Sequence, residues 1–515
     1  MSFSFASAAE GRPANRGFVT VCVMLATIMQ ALDTSIANVA LPHMQGSLGA
    51  TQDQIAWVLT SYIVAAAVAT PLTGWLAGRY GRKRLFLAAI IGFTVSSLLC
   101  GVAQSLTEIV IDRLLQGVFG AALVPVSQAI LLDVYPRERH GQAMAVWGAG
   151  IVVAPILGPT LGGWLTDTYT WRWVFLINLP VGVLTVAGVW AFVSETALDR
   201  DRPFDFFGFA MLSLAIGALQ MMLDRGETND WFGSTETWIE LALAVASLWV
   251  FIVHAATTDH PFVSLALFRD RNFVAGSVLM FLIGILLYGT LALFPELLQD
   301  VMGYPVMTAG MVLAPRGIGT LLAMLVVGRL TGRFDARLIL LVGFAVTAYS
   351  LWRMTGYSVA MDMRPVLGST IIQGFGLGLV WVPLSTASFA TLPARFRTEA
   401  SAFSSLVRNV GGSVGIAVGE NVLVRNVQIN HASLAEHANP FNPMLSIPSV
   451  QHAWNLHTTS GLASLNFEIT QQAKMIAYND VFQLLMILTL TLIPLLLMLT
   501  DTRGKGGSDA HVALD

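Results

Sequence analysis

The segment VCVMLATIMQALDTSIANVALP (Val21–Pro42) is long and apolar enough to cross a bilayer, yet it carries an acid, Asp33. About 20 helical residues span the roughly 30 Å hydrocarbon core. A carboxylate at that depth costs roughly 2.5–3.5 kcal/mol even on the lenient insertion scales. A partner cation, a water-filled cavity or a task that needs a titratable group must offset that cost.

The rest of the chain has the same character. Its 515 residues are 55% hydrophobic and only 11% charged, with a mean hydropathy of +0.68. A soluble protein of this size needs a charged shell of about a quarter of its residues, so lipid must cover this surface. The net charge of −3 gives no reason to expect a nucleic-acid partner. Both cysteines, Cys22 and Cys100, fall in apolar runs, which argues against a disulfide framework. The first apolar run is too long for a signal peptide and is read as a retained first helix.

Apolar runs of membrane-spanning length fall at 17–41, 55–77, 84–104, 106–131, 141–165, 172–193, 206–223, 238–257, 272–298, 304–328, 338–354, 365–391, 399–424 and 478–500, fourteen in all. An even number puts both termini on one side. With the N-terminus cytoplasmic, 19 of the 28 Lys and Arg residues lie on the cytoplasmic side and six outside, with Arg113, Arg316 and Arg408 inside spans. Both termini are therefore expected in the cytoplasm.

An internal repeat fixes the organisation. GWLAGRYGRKRL (Gly74–Leu85) matches GRLTGRFDARL (Gly328–Leu338), and QGVFGAALVP (Gln116–Pro125) echoes QGFGLGLVWVP (Gln373–Pro383). The offsets, 254 and 257 residues, are nearly constant. The expected plan is a cytoplasmic tail at 1–16, a six-helix half at 17–193, two extra helices with their linkers at 194–271, a second six-helix half at 272–500 and a tail at 501–515. Parallel repeats around a central site are a transporter design. Residues 425–477 are expected to form a long outer loop, with a possible amphipathic helix over 461–473. It holds His431, His437, His452 and His457, whose irregular spacing does not match a metal site.

These motifs resemble the major facilitator superfamily over about residues 17–500. Within it the chain is similar to the fourteen-helix drug:proton antiporters, most closely those of the EmrB type. LDTSIANVALP (Leu32–Pro42) matches that group's first-helix motif, and LDRGETNDW (Leu223–Trp231), LFRDRNF (Leu267–Phe273) and NPFNP (Asn439–Pro443) point to the EmrB type. The resemblance implies an all-α membrane fold, no cofactor and no enzymatic activity. It implies proton-driven export of hydrophobic or amphipathic compounds across the inner membrane. The implied partners are a periplasmic adaptor of EmrA type, docked on the outer loop, and a TolC-like outer-membrane channel. Other readings remain open: a proton-coupled exporter of one metabolite, lipid or siderophore, a proton symporter for uptake, and a non-transporting receptor or scaffold.

The candidate proton carrier is Asp33, about 24 Å into its span, with Arg113 at similar depth on the fourth. Arginine does not titrate here, but its position sets how readily an acid ionises. Asp112 is a rival partner for the same guanidinium. The fifth span carries the family's antiporter motif at Gly158, Pro159, Gly162 and Gly163, small residues that let helices approach closely. Gly74, Arg79, Gly81 and Arg82 match the inner-gate motif, with Gly78 where the family usually has an acid. Gln30, Asn38, Gln116, Gln128, Arg316, Gln373 and Arg408 are candidates for the substrate cavity, and Arg316 can either pair with Glu296 or attract an anionic substrate. No phosphate-binding loop is present, so the energy source is not ATP bound to this chain.

Overall fold

A computed structural model describes residues 16–136, 139–196, 203–226, 228–330, 334–393, 396–439, 442–447, 449–450 and 454–500. Apart from Arg16, the two expected tails lie outside the described residues. The first half comprises α1 (Arg16–Leu48), α2 (Gln52–Ala69), α3 (Leu72–Tyr80), α4 (Arg82–Val102), α5 (Leu106–Gly120), α6 (Leu123–Val134), α7 (His140–Thr168), α8 (Trp173–Leu176) and α9 (Asn178–Phe192). Two further helices follow, α10 (Phe206–Arg225) and α11 (Thr235–Thr257). The second half comprises α12 (Arg271–Glu296), α13 (Val306–Leu313), α14 (Pro315–Leu330), α15 (Ala336–Met354), α16 (Met363–Phe389), α17 (Arg397–Glu436) and α18 (Thr459–Leu495). No β-strand occurs among the described residues.

Among the described residues, eleven helical segments are long and apolar enough to cross a membrane, or twelve if the pair α2–α3, bent by 56°, counts as one span. Of the fourteen expected crossings, α7 and α17 fall outside that set. The outer faces are what lipid requires: Trp190 and Trp249 are 71% and 68% exposed. One buried apolar cluster, around Ile36, Ile109 and Phe175, belongs to the first half, and another, around Leu279, Phe344 and Phe482, to the second. A third runs across both and contains Trp147 and Met324.

Local chemistry sets the breaks. Thr51 and Gln54 form a reciprocal capping box at the start of α2. Pro71 has no N–H to donate to the Ala67 carbonyl, so the hydrogen-bond ladder breaks between α2 and α3 and the span bends. Gly81 has φ +91°, a left-handed conformation that separates α3 from α4, and a side chain there would collide with Glu195. Asp205 caps α10, accepting from the Gly208 and Phe262 amides at 2.8 and 3.0 Å, and His254 of α11 lies 2.8 Å from it. Burial alone would raise the Asp205 pKa, but these hydrogen bonds and the His254 ring hold it below the usual carboxylate range.

The segment 425–477 departs from the expected loop. α17 continues to Glu436 and α18 begins at Thr459, so most of the segment is a helical hairpin. Asn426 donates to Asp480 at 2.9 Å, and His431 and Asn466 lie 3.0 Å apart, which ties the two arms together. Hydropathy ends a span where polar residues begin, but a helix braced by a neighbour continues into water. α10 bridges the two halves: Gln220 donates to Ser413 of α17 at 2.7 Å, and Thr60 of α2 donates to Asp224.

Candidate functional site

Asp33 lies on the buried stripe of α1 with Met29, Ile36, Ala37 and Ala40, at spacings that return to one helix face. Arg113, Gln116, Gly117 and Gly120 form the matching stripe of α5. Where the stripes meet, Arg113 Nη1 donates to Asp33 Oδ2 at 2.6 Å and to Gln116 Oε1 at 2.8 Å. Gln116 Nε2 donates to Asp33 Oδ1 at 2.8 Å. Asn178, the first residue of α9, donates to the same Oδ1 at 2.9 Å and to Ser97 Oγ at 2.9 Å. Asp33 is 2% exposed, and Arg113 and Gln116 are fully enclosed.

The guanidinium is held on its other sides as well. Its Nε donates to the Val58 carbonyl at 3.0 Å, and its central carbon Cζ lies 4.4 Å from the Tyr62 ring centre and 5.6 Å from that of Phe175. Arg113 Nη2 is buried without a hydrogen-bond partner. Gln30 donates to the Tyr62 hydroxyl at 3.3 Å. Asp33 thus sits in an enclosed socket with three N–H donors, one of them on the Arg113 guanidinium. Breaking a buried pair of this kind by removing one partner costs about 3–5 kcal/mol. Protonating Asp33 cancels the charge that holds Arg113.

Arg113 pairs with Asp33, not with Asp112, which is only partly buried and points off the α5 stripe. Asn178, Ser97 and Tyr62 were not picked out from the sequence. Asn178 was the most accessible of these, as a lone amide in the apolar sixth span two residues before Pro180.

The antiporter glycines divide. Side chains added at Gly158 and Gly162 would meet Ser35 and Ile36 of α1, whereas Gly163 faces open space. Pro159 is helical, and its side chain lies outside the described residues. Gly158 and Gly162 therefore form a close α1–α7 seam at Ser35 and Ile36, two and three residues from Asp33 along α1, and Gly163 takes no part in it.

At the end that carries Arg79–Arg84, the two halves close on each other. Gly74 packs against the Glu399 backbone, its added Cβ 3.0 Å from Cα. Arg82 pairs with Asp133 and donates to Thr398 of α17 at 2.8 Å, while Arg397 reaches the same Asp133 at 3.1 Å. Arg79 is exposed.

The expected cavity residues scatter. Gln116 is taken up by Asp33, and Gln128 accepts from Ser401 at 2.6 Å across the closed end, so neither lines an open cavity here. Asn38 is exposed. Arg316 does not pair with Glu296; its Nη2 donates to Thr290 at 3.0 Å. Gln373 is 1% exposed with Oε1 unpartnered. Arg408 lies 5.2 Å from the Trp381 ring centre, with its Nε buried and unpartnered.

A helical membrane protein built from two repeats, with a buried acid–arginine pair in one of them, is a transporter by architecture. The family model of the Major Facilitator Superfamily matches residues 23–416, and the chain belongs to that family. It is 38% identical to the multidrug export protein EmrB of Escherichia coli K12 over 494 residues, 95% of this chain and 96% of that protein. It is equally 38% identical to the fatty acid resistance protein FarB of Neisseria gonorrhoeae, over 95% of this chain and 97% of FarB. A solved bacterial homologue of the human lysosomal transporter Spinster shares the fold, with a TM-score of 0.57 at 16% identity, covering 95% of this chain and 98% of that one.

Proposed function

We propose that this protein exports hydrophobic or amphipathic drugs and toxic compounds across the inner membrane by alternating access, in exchange for protons. The observation that carries the reading is the buried Asp33–Arg113–Gln116–Asn178 socket. With the opposite face open, Asp33 takes a proton and releases Arg113. With the Arg79–Arg84 end open, it gives the proton up to the cytoplasm, and drug binding is favoured. Drug and proton then oppose each other through the two states, and pumping follows from linkage.

In this reading α7 and α17 cross the membrane too, which makes fourteen crossings with both termini cytoplasmic. The hairpin formed by the ends of α17 and α18 stands on the periplasmic side. Ile429, Leu462 and Phe467, beyond the expected spans, are 55%, 49% and 64% exposed there. They offer apolar contacts to an EmrA-type adaptor leading to a TolC-like channel.

The test is proton release on adding drug to purified protein, comparing wild type with Asp33→Asn. The substitution keeps the socket's shape and removes its titration. The expected result is release from wild type, none from the variant, and lost drug resistance at normal expression. Proton-dependent export by Asp33→Asn would give the carrier role to another group.

A further inference from the structure

Tyr62 of α2 touches the proton site with its ring and a less enclosed amide with its hydroxyl. The ring centre lies 4.4 Å from Arg113 Cζ, and the hydroxyl accepts from Gln30 Nε2 of α1 at 3.3 Å. A ring in this position attracts a guanidinium by about 0.5–2 kcal/mol, more as water is excluded. Two glycines of α5 seat the residue. A Cβ added at Gly117 would strike the Tyr62 carbonyl oxygen, and one added at Gly120 would lie 3.0 Å from the hydroxyl oxygen. With the Val58 carbonyl also held by Arg113, this stretch of α2 and the facing stretch of α5 form one unit.

α1 meets that unit through two polar groups about one turn apart, Asp33 and Gln30. They differ in what can reach them. Asp33 is enclosed, whereas Gln30 is half-buried. Tyr288 of α12 lies within electrostatic range of Tyr62, so the Gln30–Tyr62 contact looks toward the second half. A substrate held between the halves thus meets Gln30 and not the carboxylate. Among the described residues, the titratable and charged groups that face Asp33 are Arg113, Tyr62 and Cys100 of α4, all buried. From α9 it meets only the neutral Asn178 amide.

We propose that Tyr62, through its hydrogen bond to Gln30, is the positioning residue that couples substrate occupancy to the charge on Asp33. This rests on the export reading and names the contact through which substrate and proton oppose each other. While Asp33 is charged, its bond to Arg113 holds α1 against α2 and α5, and Gln30 lies on Tyr62. Protonation cancels that hold, α1 moves off the unit, and Gln30 leaves the hydroxyl. A substrate that packs on the joined Gln30–Tyr62 surface favours the first arrangement and drives the proton off. Tyr62 itself neither gains nor loses a proton.

The experiment is equilibrium binding of two fluorescent probes that do not titrate near neutrality, ethidium and N-phenyl-1-naphthylamine. Binding to the full-length protein in phosphatidylcholine nanodiscs is followed from about pH 6 to about pH 8. The slope of log affinity against pH equals the number of protons released, so wild type should bind more tightly as pH rises, by up to about tenfold per unit for one proton. Tyr62→Phe keeps the ring on Arg113 and removes the hydroxyl that Gln30 uses, and its slope should fall to about half or less. Gln30→Leu breaks the same bond from the other side and should do likewise, and the double variant should lose no more than either alone. A purely structural role would lower the melting temperature and leave the slope as in wild type, and that result overturns the assignment. So does a Tyr62→Phe or Gln30→Leu protein that binds neither probe, since the side chain is then a substrate contact only. If wild type binds neither probe, or binds with no pH dependence, the export reading fails and the coupling with it.

Discussion

Asn178 converts a salt bridge into a socket. Without it, Asp33 Oδ1 would keep only the Gln116 donor, and Ser97 Oγ would keep only its bond to the Phe175 carbonyl. A buried carboxylate that loses one donor is destabilised by about 1–3 kcal/mol. Asn178→Ala should therefore lower the melting temperature of the purified protein. Combined with Asp33→Asn, it should cost less than the two single changes added together, because both act on one bond. Strict additivity in that cycle would mean that Asn178 serves α9 packing alone. The sequence left Asp33 and Asp112 as rivals for Arg113, and the structure decides for Asp33. Arg113, Gln116, Gly117 and Gly120 recur at helix period on one face, and Asp112 is about 100° away from Arg113. Asn178 was far less legible, since one amide in an apolar run carries no periodic signal.

Helix contacts carry their own tests. A methyl at Gly158 must displace Ser35, whose Oγ also lies 3.4 Å from the Ala154 carbonyl, whereas a methyl at Gly163 meets nothing within 4 Å. Gly158→Ala should lower thermal stability in detergent by about 1–3 kcal/mol, the usual cost of overpacking. Gly163→Ala should be neutral or slightly stabilising, because alanine is the better helix former. Equal losses from both would argue against the seam. The sequence motif named all the glycines alike, and only the packing of α7 on α1 separates them. At the start of α10, Asp205 is held below its unfolded pKa of about 3.9. Its contribution is present above that value and is lost as pH falls through the folded pKa. Wild type should therefore lose thermal stability below about pH 4. Asp205→Asn should be less stable at pH 7 and flatter over the acid range. A parallel acid profile in the variant would count against the cap. Of the hairpin beyond residue 424, the helix over 461–473 was expected from the sequence; the continuation of α17 was not, since bracing at Asn426–Asp480 carries a polar helix on past the apolar run.

At the scale of the whole molecule, the closed end depends on Asp133, which holds one cation from each half. The gate motif was legible in the sequence, and so was its missing acid at Gly78. The replacement was not, because Asp133 and Arg397 lie 264 residues apart. Asp133 is 28% exposed, and Arg82 and Arg397 are 11% and 13% exposed, so the latch is screened but not fully solvated. A partly buried pair of this kind is worth about 1–2 kcal/mol, which shifts a two-state ratio roughly five- to thirtyfold. Asp133→Asn removes the charge that both arginines share and leaves them repelling each other across the interface. With spin labels at the exposed positions Arg84 and Arg329, one on each half, the variant should gain a long-distance population at this end. In the proposed alternating-access cycle the halves rock as bodies around one central site, and label distances at the opposite end should then shorten in step. The latch assignment fails if the distance distribution at the Arg84–Arg329 end is unchanged. If that end opens while the other keeps its distances, the latch holds a local flap and the two ends are not coupled.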